Sequence, residues 1–83
     1  MICKKFTTDT KIFLSNGQTD TFCNSVIFYN TGTNLVNVDG INLQPGQQFR
    51  IDGNENEQLV KAYNFQFSGI LVNELTVIYK RYL

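Results

Sequence analysis

Residues 30–57 read NTGTNLVNVDGINLQPGQQFRIDGNENE, a third of an 83-residue chain. Apolar and polar positions alternate here between turn signals. The segment Val36-Asn37-Val38-Asp39-Gly40-Ile41-Asn42-Leu43 has the form of a β-hairpin closed by Asp39 and Gly40. Asp-Gly suits a type I′ turn, in which both central residues take positive φ. A two-residue loop sets Val38 opposite Ile41, Asn37 opposite Asn42 and Val36 opposite Leu43. The apolar residues then share one face and the asparagines the other. A slip of one residue would reverse the faces, so turn and pattern specify the same register. In Gln44-Pro45-Gly46-Gln47, Pro45 and Gly46 stand at the two central positions of a type II turn. Phe49 and Ile51 alternate with Gln48 and Arg50 as a third strand, and the whole predicts a three-stranded meander.

The same signature runs outward in both directions. No window carries sustained apolar spacing of helical period, whereas short alternating runs recur between Gly, Asn, Asp and Pro, as in all-β chains. A weak run covers residues 4–8 and a second covers 11–15. Asn16-Gly17 follows as a turn that needs positive φ. A long central strand is expected over 22–29, another over 62–67 with Tyr63, Phe65 and Phe67 on one face, and a last over 74–82. Asn54 and Glu57 are spaced as a capping box, which allows one short helical turn near 55–60. About seven short antiparallel strands in one domain spanning 1–83 must close into a small β-sandwich or barrel, with 1–10 as an arm or edge strand. A chain this short buries roughly 60–65% of its unfolded surface. Its stability scales to about 4–12 kcal/mol.

Composition excludes several chemistries. There is no histidine among the 83 residues, so triads and Cys–His pairs lack their base. Cys3 and Cys23 are too few for a zinc site and read as reduced thiols acting as small apolar residues. Glu55 and Glu57 lie in a polar loop where nothing raises a carboxyl pKa. Asp52, Asn54 and Asn56 match the start of a calcium loop, but glycine stands at its second position and Tyr63 at its twelfth, so an Asx-rich turn is the better reading. We therefore expect no enzyme, no metal and no cofactor. Seven basic and seven acidic residues give zero net charge, and the basic pairs Lys4-Lys5 and Lys80-Arg81 form no stripe for nucleic acid. No apolar run is long enough to span a membrane, and the first residues lack the apolar core of a signal peptide. Cytoplasmic synthesis is the resulting expectation.

Two segments break the one-faced pattern. In residues 23–30, CNSVIFYN, Val26 and Phe28 share one face while Ile27 and Tyr29 share the other. In residues 75–83, LTVIYKRYL, Leu75, Val77 and Tyr79 oppose Ile78 and Tyr82. Either loops cover the second face, or Ile27, Tyr29, Ile78 and Tyr82 form a protein-docking patch, with tyrosine suited to a surface both apolar and wet.

The run from Asn30-Thr31-Gly32 through Val38-Asp39-Gly40-Ile41-Asn42-Leu43-Gln44-Pro45-Gly46 to Phe49-Arg50-Ile51-Asp52-Gly53-Asn54-Glu55-Asn56-Glu57, followed by Leu75-Thr76-Val77-Ile78-Tyr79-Lys80-Arg81-Tyr82, resembles a known group. It is similar to small virion proteins of tailed bacteriophages that infect Bacteroidales, crAss-like phages among them. The likeness covers about half the chain and does not extend before Asn30. It implies a non-enzymatic structural part, an auxiliary or decoration protein on the capsid. Such a part would be present in many copies, bind the major capsid protein, assemble in the bacterial cytoplasm and be free to form a homo-oligomer. A head-fibre or tail-associated part is the nearest variant. A carbohydrate- or cell-surface-binding module, using Asn64, Gln66 and a tyrosine, is the alternative from another class.

Overall fold

The computed structural model describes residues 3–83 and contains eight strands and no helix among them. They are β1 (Phe6–Phe13), β2 (Gly17–Asp20), β3 (Ser25–Asn30), β4 (Leu35–Val38), β5 (Ile41–Leu43), β6 (Gln48–Ile51), β7 (Ala62–Ser68) and β8 (Leu75–Tyr82). Two four-stranded antiparallel sheets pack as a small β-sandwich, ordered β1-β8-β3-β6 and β2-β7-β4-β5. The pairs β4·β5, β3·β6, β2·β7 and β1·β8 are those of one long hairpin, folded so that successive pairs fall in alternate sheets. The additional pairs β3·β8 and β4·β7 complete each sheet. This is the jelly-roll way of winding an all-β chain.

The apex of that hairpin is the Asp39–Gly40 turn. Asp39 takes φ 51° and Gly40 φ 94°, and the register sets Val36 against Leu43, Asn37 against Asn42 and Val38 against Ile41, as the sequence predicts. The Asn37 side chain accepts the Gly40 N–H at 3.0 Å and donates to Asn42 at 2.9 Å. Lys61 holds Asp39 from β7's approach at 2.6 Å. Val36, Val38 and Leu43 are buried, whereas Ile41, at the tip, stays exposed.

Several local expectations give way to the two-sheet arrangement. The meander over 35–51 is a hairpin followed by a corner, because β6 pairs with β3 in the other sheet. Gly46 has φ 85° and Gln47 N–H bonds Gln44 C=O at 2.9 Å, the geometry of a type II turn, and Gly46 N–H bonds Asn30 C=O across the corner. A type II turn suits a corner as well as a hairpin, so the sequence could not tell them apart. The two weak runs over 4–8 and 11–15 form the single strand β1. Asn16 and Gly17 do not take positive φ; the chain crosses there between sheets, and Asn16 accepts the Phe67 N–H at 2.8 Å. The strand expected from residue 22 begins at Ser25, since Phe22 turns the chain with φ 39° and Cys23 makes only an isolated bridge to Leu59. The helical turn near 55–60 is absent. Glu57 does reach back to accept the Asn54 N–H at 2.9 Å, but one turn closes there and the chain continues extended. Gly53 is required nearby, because a Cβ would lie 2.3 Å from the Asn24 carbonyl oxygen.

The core lies between the sheets. Val26 and Phe28 of β3, Leu75, Val77 and Tyr79 of β8, Val36 and Val38 of β4, and Tyr63 and Phe65 of β7 are its main members. Phe28 stacks on Phe49 at 5.0 Å and meets Tyr63 at 4.9 Å. Polar groups inside are matched, with no unpartnered buried side-chain N or O among the described residues. Thr19 and Tyr79 share a buried hydrogen bond that joins the two sheets. Asn30, fully buried, donates to the carbonyls of Asn34 and Leu43, each at 2.8 Å, and accepts the Gly32 N–H at 3.1 Å.

Asn30 thus satisfies the backbone of two connections at once. Asn30→Asp presents carboxylate oxygens to two carbonyls in place of donors and should destabilise the fold by about 3 kcal/mol or more, a buried unmet pair and charge being costly. Urea denaturation of the two proteins measures this, and a loss below about 1 kcal/mol would refute the role, being no more than an ordinary hydrogen bond.

Burial pushes the Tyr79 hydroxyl above its ordinary value of 10.0, and burial likewise raises the Cys23 thiol above 9.0 although Arg81 opposes it. The hydrogen bond to Asp39 raises Lys61 above 10.5. In each case the folded group holds its proton more tightly than the unfolded one. Their stabilising effect is whole below the unfolded values and is lost as pH rises through the folded ones. Unfolding free energy should therefore be insensitive to these groups below pH 9.0 and fall progressively above it. Tyr79→Phe should flatten the part of the fall that begins near pH 10.0.

Candidate interaction surface

The two sheets have unlike outer faces, and strand register shows how each is composed. On the sheet β1-β8-β3-β6, one row across the strands runs Ile12, Thr76, Tyr29, Gln48, and the next runs Thr10, Ile78, Ile27, Arg50. Phe6 and Tyr82 pair at the far end, ring centroids 6.0 Å apart. Ile27 and Ile78 stand directly opposite each other at the centre. The four residues singled out in the sequence, Ile27, Tyr29, Ile78 and Tyr82, therefore share this one face. Tyr29 is 37% exposed and the other three are half-buried. Their partial cover comes from neighbours on the sheet: a dimple of about 120 Å³ is bounded by Ile27, Ile78, Thr8, Arg50, Asp52 and Lys80.

Charge on this face borders the Ile27–Ile78 pair and is already engaged. Arg50 bonds Asp52 at 3.0 Å. Lys80 Nζ lies over the Phe6 and Tyr82 rings, 4.3 Å and 4.9 Å from their centroids, as cation–π contacts. Lys4 approaches Glu55 at 3.6 Å. The basic pairs noted in the sequence are thus dispersed by the fold. Arg81, one residue from Lys80, points the other way and donates to the carbonyls of Thr21 and Phe22 and to Asp9.

The opposite sheet presents amides. Gln18 pairs with Asn64, and Gln66 with Asn37, which pairs in turn with Asn42. An open trough of about 440 Å³ follows this face along Asn16, Gln18, Asn64 and Gln66. Sequence reasoning noted Asn64 with Gln66 and Asn37 with Asn42 as separate pairs, but missed Gln18 and the union of all five on one face. The signal was present, since each amide occupies the position opposite a core residue, yet only strand order assembles them. Tyr29 and Tyr82 lie on the other sheet, so the structure does not bring the amides together with the tyrosine that a sugar platform would need.

The turns called from the sequence, Asp39-Gly40 and Pro45-Gly46, sit at the apex and at one corner and expose no cleft chemistry. Among the described residues, no group of three or more Cys, Asp or Glu is placed to hold a metal ion. Glu55 and Glu57 line an open cleft of about 290 Å³ together with Arg81, Tyr82 and Asn24. Glu57 is occupied with Asn54 N–H and Glu55 with Lys4. Cys3 and Cys23 are both free, one exposed and one buried. No family model, curated protein or solved structure matches the chain.

The inner and outer faces of β3 differ in what they hold. Phe28→Ala removes a fully buried ring and should cost about 3–5 kcal/mol. Ile27→Thr, one position along, should cost about 1 kcal/mol or less, as for surface substitutions that keep β-branching. Thermal melts of both variants give the comparison.

Proposed function

We propose that this chain is a non-enzymatic structural protein of a phage particle, an auxiliary or decoration protein that docks on the capsid shell through the outer face of β1-β8-β3-β6. The observation that carries the reading is the contrast between the two outer faces. A sandwich that only needed solubility would carry polar residues on both, as the amide face does, whereas Ile27 and Ile78 stand paired in the middle of the other with Tyr29 and Tyr82 nearby. Apolar centre, aromatic members and a charged rim are the composition of protein-binding patches. The resemblance of residues 30–58 and 75–82 to phage virion proteins supplies the partner, the major capsid protein. A contact of about 600–800 Å² on this side would be ordinary for a stable complex. The jelly-roll order is found in viral capsid and lectin domains alike, so it is compatible with this role without selecting it.

The test is co-sedimentation with empty shells assembled from the phage's major capsid protein. The wild-type chain should pellet with the shells, and Ile27→Thr/Ile78→Thr, folded by circular dichroism, should bind at least about tenfold more weakly, as loss of a central anchor does. Absence of the wild-type chain from the pellet would overturn the proposal.

A second reading, a carbohydrate- or cell-surface-binding module, is favoured by the amide face and its open trough. It lacks an aromatic platform on that face. Binding to a glycan array that is lost on Asn64→Ala/Gln66→Ala would put it first.

A further inference from the structure

Among the described residues, β1 is the one long edge strand. The other edge strands are short, four residues in β2 and β6 and three in β5, which is how β proteins commonly blunt their edges. β1 runs for eight residues, with no proline, and pairs with β8 without a bulge from Phe6↔Tyr82 to Phe13↔Leu75. Only Phe13 joins the core packing, 4.7 Å from Phe65 between centroids; Phe6 through Ile12 are exposed on both faces.

The direction of its free hydrogen-bonding groups follows from one bond. Leu83 N–H donates to Lys5 C=O at 2.8 Å, so these two form a hydrogen-bonded pair across β1 and β8. Antiparallel alternation then turns Thr7, Asp9 and Lys11 toward β8, and leaves N–H and C=O of Phe6, Thr8, Thr10 and Ile12 pointing at the open edge.

We propose that β1 pairs antiparallel with β1 of a second copy of this chain, across a two-fold axis at Thr10, joining two four-stranded sheets into one of eight. The register follows from charge. With Thr10 opposite its own copy, Thr8 faces Ile12 and both make edge hydrogen bonds, while Asp9 faces Lys11 of the second copy and Lys11 faces Asp9. These two charged pairs fall at non-hydrogen-bonded positions, where side chains approach most closely. Moving the register by two residues, the smallest step that keeps like faces together, puts Asp9 opposite Asp9 in one direction and Lys11 opposite Lys11 in the other. The strand is self-complementary in one register and repulsive in the adjacent two. Asp9 already accepts Arg81 through Oδ2 at 2.5 Å, which leaves Oδ1 for the incoming lysine. The same register sets exposed Phe6 beside exposed Leu14 of the second copy and extends the apolar outer face across the axis. This association requires no shell protein and stands apart from the docking proposal.

Sedimentation equilibrium of the full chain tests it. The wild type should be a concentration-dependent dimer, weakened by salt. Lys11→Asp should weaken the dimer about tenfold through two new like-charge pairs, and adding Asp9→Lys to it should restore association. On a Cys3→Ser background, Thr10→Cys should form an interchain disulfide on mild oxidation and Thr8→Cys should not, because Cα atoms in a facing hydrogen-bonded pair stand about 5.5 Å apart, within disulfide reach. A wild type that stays monomeric at all concentrations, a Lys11→Asp dimer of unchanged strength, or cross-linking at Thr8 in place of Thr10 would each overturn the proposal.

Discussion

The pairing of Val36 with Leu43 around the Asp39–Gly40 turn is the constraint from which the remaining architecture follows. A type I′ turn permits one register, and that register puts Val36, Val38 and Leu43 on the side that will be enclosed. Each later pair, β3·β6, then β2·β7, then β1·β8, lies one layer farther along the same folded hairpin. An error at the apex would therefore propagate through every strand, reversing which side of β3 and β8 met the core. Asn37 and Asn42 reinforce the register from outside, and Asn30 fastens the neighbouring connections from within.

The two outer faces express how a thin sandwich divides its residues. The interior accepts one side of every strand but β1, and among the described residues eleven buried apolar residues fill it. Strands β3 and β8, adjacent in one sheet, carry apolar side chains on their other side as well, while β2, β4, β5 and β7 carry amides there. That segregation lies in the two central strands of one sheet, flanked by Thr8 and Thr10 of β1 and by Gln48 and Arg50 of β6. It is why the Ile27–Ile78 pair forms a coherent surface instead of scattered exposed residues.

Local pattern revealed what local physics determines. The all-β class with two closed layers, the Asp39–Gly40 register, a strand taking up its alternation at Ala62 and the two-faced character of β3 and β8 could all be read from alternation and turn chemistry. What could not be read depended on partners far along the chain. The Pro45–Gly46 corner has the same composition whether the chain returns to its sheet or crosses to the other. β1 appeared as two weak runs because most of its residues are exposed on both sides, so no apolar alternation marks it. The short helical turn allowed near 55–60 does not form although the reach-back bond of Glu57 does, because a single cap contact does not overcome the cost of nucleating a helix in a polar loop. Of the candidate surface, the four apolar residues were legible and their union on one face was not, since strand order brings β3 beside β8.

β8 occupies the middle of its sheet, between β1 and β3, and it is the last of the eight strands to be synthesised. Until it leaves the ribosome, Val26 and Phe28 lack the neighbouring strand that pairs with them, and β1 has nothing to join. The nascent chain can close its apex hairpin early but cannot complete either half of the sequence as an independent unit, because β1, β2 and β3 each pair with a strand from the second half. Completion of this sheet must therefore wait for β8, and translation arrested before residue 75 would yield a sticky fragment for the cell's chaperones and proteases.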